Sequence, residues 1–157
     1  MGTLMDLVAG DTREILLAIA LDDWEGLRDR ARFPAHLALG AGLDPTWLDL
    51  FSEAVRAVTG EGRPTDFLDA CSELDGPTDA GDRTVERIDR AWLDAVARLP
   101  DRSVDAVAAR WIDLLDDEFG EFLPAEEKTW IRRLAAEVVA FARGALGAPD
   151  VLFAWSI

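Results

Sequence analysis

The sequence predicts an α+β fold that is predominantly helical, with about six or seven helices packed on a small sheet of about three short strands. Apolar residues recur at helical spacing behind capping residues through most of the chain. Short β-prone runs occur near both ends and near the middle. Half of the 157 residues are apolar, which is enough for one core, so we expect a single domain over residues 1–157.

The first two elements are a strand and a helix. Residues 3–9 form a short apolar run that ends at Gly10, which favours a strand. Asp11 suits the N-cap of a helix, and Glu14 three positions later completes a pattern typical of a capping box. This pattern predicts a helix that runs to about Ala20.

Two more helices are predicted before residue 61. One of the aspartates at 22–23 can cap a short helix that ends at Phe33-Pro34, because the residue before proline avoids helical geometry. In Leu43-Asp44-Pro45-Thr46-Trp47, the aspartate is a capping residue and the proline suits the first helical position. An apolar stripe follows, and Gly60 ends that helix.

The middle of the chain is rich in glycine, proline and carboxylates. Residues 61–82 contain seven acidic side chains and favour a short helix near 65–74. A flexible acidic loop is expected at 75–83. Thr84–Ile88 then alternates as a strand does, and Asp89 caps the helix that follows.

The C-terminal third predicts two long helices and a final strand. The first helix begins after Pro100 and ends near Gly120, and Pro124 opens the second. Residues 151–155 form a dense β-prone run that predicts a buried C-terminal strand.

The charge balance bears on partners and compartment. Thirty-one acidic residues against sixteen basic ones give a formal net charge of −15, which repels nucleic-acid phosphates and anionic lipid surfaces. We therefore expect neither nucleic acid nor a membrane as partner. Only Lys128 among the cations is lysine, a bias typical of G+C-rich bacteria. A single cysteine and the lack of a basic N-terminal signal region predict a cytoplasmic location.

Few residues could carry chemistry. His36 is the only histidine, so it and Asp44 are the candidate catalytic residues. Cys71 has acidic neighbours that disfavour a reactive thiolate. Zinc sites need several His or Cys ligands, whereas magnesium or calcium could use carboxylates alone. The candidate metal ligands are therefore Asp113, Asp116 and Asp117, and no cofactor is predicted.

The Leu43–Trp47 motif, with Leu50 after it and Thr59-Gly60 closing the helix, resembles the YfbM-like family of small bacterial domains. The order of elements is also similar, from an N-terminal strand to a last apolar strand. The family more usually has histidine shortly after that tryptophan, where this chain has Leu50-Phe51. The resemblance implies a fold, but the family has no activity or catalytic residues to carry over.

Three functions are compatible with these observations. The leading hypothesis is a non-enzymatic acidic domain that binds a basic protein, as an immunity protein or antitoxin does. The first alternative is a small carboxylate-dependent hydrolase or transferase that uses Asp44 and the aspartates at 113–117, with His36 as proton carrier. The second is a structural homodimer in which residues 151–155 pair across a two-fold axis.

Overall fold

The computed structural model describes residues 4–40, 43–74 and 83–156. Within these ranges, six α-helices accompany one five-stranded antiparallel sheet. The strands are β1 (Leu4–Gly10), β2 (Ala35–Ala38), β3 (Cys71–Glu73), β4 (Thr84–Ile88) and β5 (Asp150–Ser156). The helices are α1 (Thr12–Ala20), α2 (Trp24–Leu27), α3 (Thr46–Thr59), α4 (Arg90–Ala97), α5 (Asp101–Phe119) and α6 (Ala125–Ala145).

The α+β architecture agrees with the sequence, but the expected sheet of about three strands is wrong. The two strands that the sequence did not indicate are β2, with four residues, and β3, with three. Residues 65–74, expected to be helical, contain a 3-10 turn at Leu68–Ala70 followed by β3. Such short strands show too little alternation to be recognised locally, because pairing with a neighbour is what makes them strands.

The strand order is β2-β1-β5-β4-β3, which puts the C-terminal strand in the centre of the sheet. β5 pairs with β1 from Leu4↔Ser156 to Gly10↔Asp150, and with β4 on its other side. Both edges of β5 are therefore occupied within one chain. The expected dimer through residues 151–155 cannot form by adding β5 to a second copy.

The two faces of the sheet bury two hydrophobic cores. Met5, Leu7 and Phe153 point into the larger core, which α3–α6 cover. Val8 and Leu152 point to the opposite face, into a smaller core with residues of α1 and α2. This division follows from the period of two along each strand.

Helix boundaries follow the capping residues in the sequence. The carboxylate of Asp11 accepts from the Glu14 N–H at the start of α1, and Asp89 accepts from the Ala91 N–H at the start of α4. Gly120 ends α5 with φ of 69°, a left-handed conformation that glycine adopts without steric cost. The predicted ends of α1, α3 and α5 are thus confirmed, whereas α2 is shorter than expected.

Two expectations concern the chain as a whole. The acidic loop expected at 75–83 lies, apart from Arg83, outside the described residues. In the part of the chain that the structure describes, no helix combines the length and apolar character needed to cross a bilayer.

We predict that Phe153→Ala strongly destabilises the fold. Phe153 is 1% exposed in the central strand, and its ring centroid lies 5.1 Å from that of Phe67. The cavity left by the substitution is expected to cost about 3–5 kcal/mol of unfolding free energy. Urea denaturation measures this loss. The matched control is Phe122→Ala, because Phe122 is 84% exposed and its truncation is expected to change stability by less than about 0.5 kcal/mol. Equal losses in the two variants would contradict the described burial.

Candidate functional site

The only histidine belongs to a buried charge cluster on the sheet. His36 Nε2 lies 2.9 Å from Asp6 Oδ1, and Arg83 Nη1 lies 3.4 Å from Asp6 Oδ2. The Arg83 guanidinium also stacks over the Trp24 ring, with Cζ 4.2 Å from the centroid. The side chains of Asp6, His36 and Arg83 are each at most 10% exposed. Because an ionised carboxylate only accepts hydrogen bonds, Nε2 of His36 is the donor.

His36 and Asp44 do not form the expected catalytic pair. Asp44 instead accepts from the N–H and the hydroxyl of Thr46, at 2.9 and 2.8 Å, immediately before α3. A cavity of about 430 Å³ borders His36 between β2 and α6. Among the described residues that line it, the one carboxylate is that of Glu137. His36 and Asp44 therefore have separate local partners.

The candidate metal ligands do not converge either. Asp116 Oδ1 accepts from the Leu123 N–H at 2.7 Å, so this carboxylate stabilises the turn between α5 and α6. Asp113 and Asp117 are exposed on α5. In the described ranges, no three His, Cys, Asp or Glu side chains are grouped closely enough to hold a metal ion.

Four aromatic side chains gather where α5 ends and α6 begins. The Trp47 ring lies 5.5 Å from that of Phe119 and 6.3 Å from that of Trp130, both in edge-to-face geometry. The Trp47 carbonyl accepts from Nε1 of Trp111, which ties α3 to α5. Phe119 is 44% exposed, and Phe122 in the turn is 84% exposed. We call Trp47, Phe119, Phe122 and Trp130 the aromatic patch.

Carboxylates surround the aromatic patch. The stretch from the second half of α5 to the first turn of α6 carries seven acidic side chains: Asp113, Asp116, Asp117, Glu118, Glu121, Glu126 and Glu127. None of them forms an ion pair with a described residue. A cation also contacts the patch, since Lys128 Nζ lies 5.5 Å from the Phe122 ring centroid. The surface is thus apolar at its centre and negative at its rim.

Sequence reasoning did not identify Phe122 as a surface residue of interest. A signal was present, because Phe122 follows the helix-ending Gly120 within an acidic run and falls outside both helical stripes. The spacing of Phe119 fits the apolar stripe of α5. Its exposure, however, depends on its position at the end of that helix. Only the tertiary structure shows that the two rings face water.

Two side chains near β3 have raised pKa values. Burial, with the carboxylates of Glu86 and Asp49 adding to it, raises the pKa of the Cys71 thiol to about 12. Burial also raises the pKa of Asp49, although its carboxylate accepts from the Leu68 N–H at 2.8 Å. Cys71 is therefore a protonated, poorly nucleophilic thiol at neutral pH.

Comparison of the chain with models of known protein families, with curated proteins and with solved structures gave no significant match. The resemblance to the YfbM-like family accordingly stays a prediction.

We predict that the charge cluster is stabilising only as a complete set. Asp6→Asn leaves the buried Arg83 guanidinium without a counter-charge, which is expected to cost about 3–5 kcal/mol. Chemical denaturation at neutral pH measures the loss. Asp101→Asn is the matched control, because Asp101 pairs with Arg143 at 2.6 Å but its side chain is 88% exposed. That control is expected to lose about 1 kcal/mol or less. A similar cost in both variants would show that burial of the cluster is unimportant.

We predict an alkaline loss of stability that depends on Cys71. The unfolded chain releases the thiol proton near pH 9, whereas the folded chain holds it to about pH 12. Between these values the unfolded state binds fewer protons, so stability falls as pH rises, by at most about 1.4 kcal/mol per pH unit. The chain has no tyrosine and one lysine, so few other groups titrate in this window. Denaturation of the native chain and of Cys71→Ala at pH 8, 9 and 10 measures the difference. A slope unchanged in Cys71→Ala would contradict the assignment to this thiol.

Proposed function

We propose that this chain is a non-enzymatic binding domain for a basic protein, and that the aromatic patch with its acidic rim is the contact surface. The observation that carries the proposal is Phe122, a large apolar side chain left 84% exposed in a stretch of the chain that is rich in carboxylates. Exposed apolar patches rimmed by polar residues mark interaction sites, and aromatic side chains dominate binding energy at such sites.

The charges around the patch favour a cationic partner. The seven carboxylates from Asp113 to Glu127 lack an ion pair among the described residues, and all but Asp116, which accepts from the Leu123 N–H, are available to another molecule. A net charge of −15 adds a long-range field that speeds encounter with a basic surface. An immunity- or antitoxin-like role, in which the domain covers a basic enzyme, is the concrete form of this proposal.

The aromatic rings and the carboxylates are expected to contribute differently to binding, because only the rings would be buried in the complex. Phe122 and Phe119 would lose water contact on binding and supply most of the affinity. The carboxylates would stay at the solvated edge, where charges set the association rate and the choice of partner. Affinity should therefore depend on the rings, and salt sensitivity on the rim.

A random peptide library selected on the immobilised chain tests this proposal. The recovered peptides are expected to combine arginine or lysine with an apolar anchor, because they must match the rim and the patch together. Phe122→Ala is expected to weaken the best peptide at least about tenfold, as truncation of an interface hot spot does. Replacing Glu118 and Glu121 by glutamine should chiefly slow association and reduce its dependence on salt. Fluorescence anisotropy and stopped-flow kinetics measure both effects.

Leu21→Ala is the control for the apolar contact. Leu21 is 69% exposed in the turn after α1, on the other side of the sheet from α5 and α6. Its truncation should leave peptide affinity unchanged. Peptides without a positive bias, or an equal loss in Leu21→Ala, would contradict the proposed surface.

A further inference from the structure

A second polar cavity lies at the far end of the β3–β4 hairpin, where β5 begins. Its volume is about 420 Å³, within the range of small-molecule sites. Ala70, Leu93 and Val151 provide an apolar floor, since each is at most 5% exposed. Its polar lining consists of Asp69, Ser72, Arg87, Asp89, Arg90 and Asp150.

Three of the five charged groups are already engaged with the protein. Arg90 donates to four carbonyl oxygens at the end of α6 and the linker after it, the shortest being Ala148 O at 2.6 Å. Asp89 accepts from the Ala91 N–H at the start of α4. Asp150 accepts from the Thr12 hydroxyl at 2.8 Å. These side chains build the walls of the cavity.

Arg87 and Asp69 keep hydrogen-bonding capacity that the protein does not use, although Arg87 is also ion-paired with Asp150. The Nε of Arg87 is buried 3.5 Å from Asp150 Oδ1, and its terminal amino groups donate to no described residue. Asp69 likewise accepts from no described donor. Ser72 lies directly opposite Arg87 in the β3–β4 register, so the two side chains project from the same face of the sheet. The cavity thus presents one cation, one anion and one hydroxyl.

We propose that this cavity binds a small zwitterion of the free α-amino-acid class. The planar fork of Arg87 matches a carboxylate, and the Asp69 carboxylate matches an ammonium group. The side chain of the ligand would lie on the floor formed by Leu93 and Val151. A simple anion would meet three aspartates, and a simple cation would meet two arginines, so neither fits as well as a molecule that carries both charges.

This site is independent of the proposed partner surface. The cavity is built by β3, β4, β5 and α4, whereas the aromatic patch lies on α3, α5 and α6. A ligand at Arg87 could be bound whether or not a protein occupies the patch. Substitutions at Arg87 or Asp69 are therefore expected to leave peptide binding at Phe122 unchanged.

The test is a titration of the full chain with each of the twenty protein amino acids, followed by amide chemical shifts in NMR spectra. At least one amino acid is expected to cause saturable shifts at Ser72 and at residues 87–90. Its analogue without the amino group and its analogue without the carboxylate should each bind at least about tenfold more weakly, because each loses one charge-assisted contact. Arg87→Gln and Asp69→Asn should each cause a loss of similar size.

Arg110→Gln and Asp105→Asn are the matched controls, because both side chains are exposed on α5, and they should bind as the native chain does. The absence of saturable shifts at the cavity for all twenty amino acids would overturn the proposal. Equal binding of the analogue without an amino group, unaffected by Asp69→Asn, would also overturn it, since that result describes a simple anion site.

Discussion

The structure depends on the pairing of the two ends of the chain. β5, the last element, lies between β1 and β4, and seven residue pairs join it to β1. Four consecutive residues of β5, at 151–154, are buried, so both faces of this strand are covered. α3–α6 cover one side and α1 with α2 the other. This packing of helices on the sheet positions both the aromatic patch and the cavity at the start of β5.

Several arginines are used to hold distant parts of the backbone together. Arg56, Arg90 and Arg143 each donate to main-chain carbonyls that are eight or more residues away in sequence. Arg83 is enclosed with Asp6. Because these cations hold segments of the backbone together, they are not available to neutralise the carboxylates of α5 and α6.

The candidate site could be predicted from the sequence only in part. The aspartates at 113–117 were evident, but the role of Asp116 in the α5–α6 turn depends on where the chain reverses. The sequence did not assign His36 to a strand, because β2 has only four residues and shows no pattern. Its partner Asp6 is 30 residues away, and Arg83 is 77 residues from the Asp6 that it pairs with, so no local spacing indicates the cluster. The exposure of Phe122 depends on the same reversal of the chain.

The sequence by itself determined the helices, the three longer strands and the charge of the surface. Capping residues, breakers and apolar period act within a few positions, so the elements they specify can be recognised without knowledge of the fold. Tertiary structure alone decided the strand order, the existence of β2 and β3, and the grouping of Asp6 with His36 and of Arg87 with Asp69. Those outcomes rest on hydrogen bonds and burial between distant segments, and such interactions exist only once the segments have met.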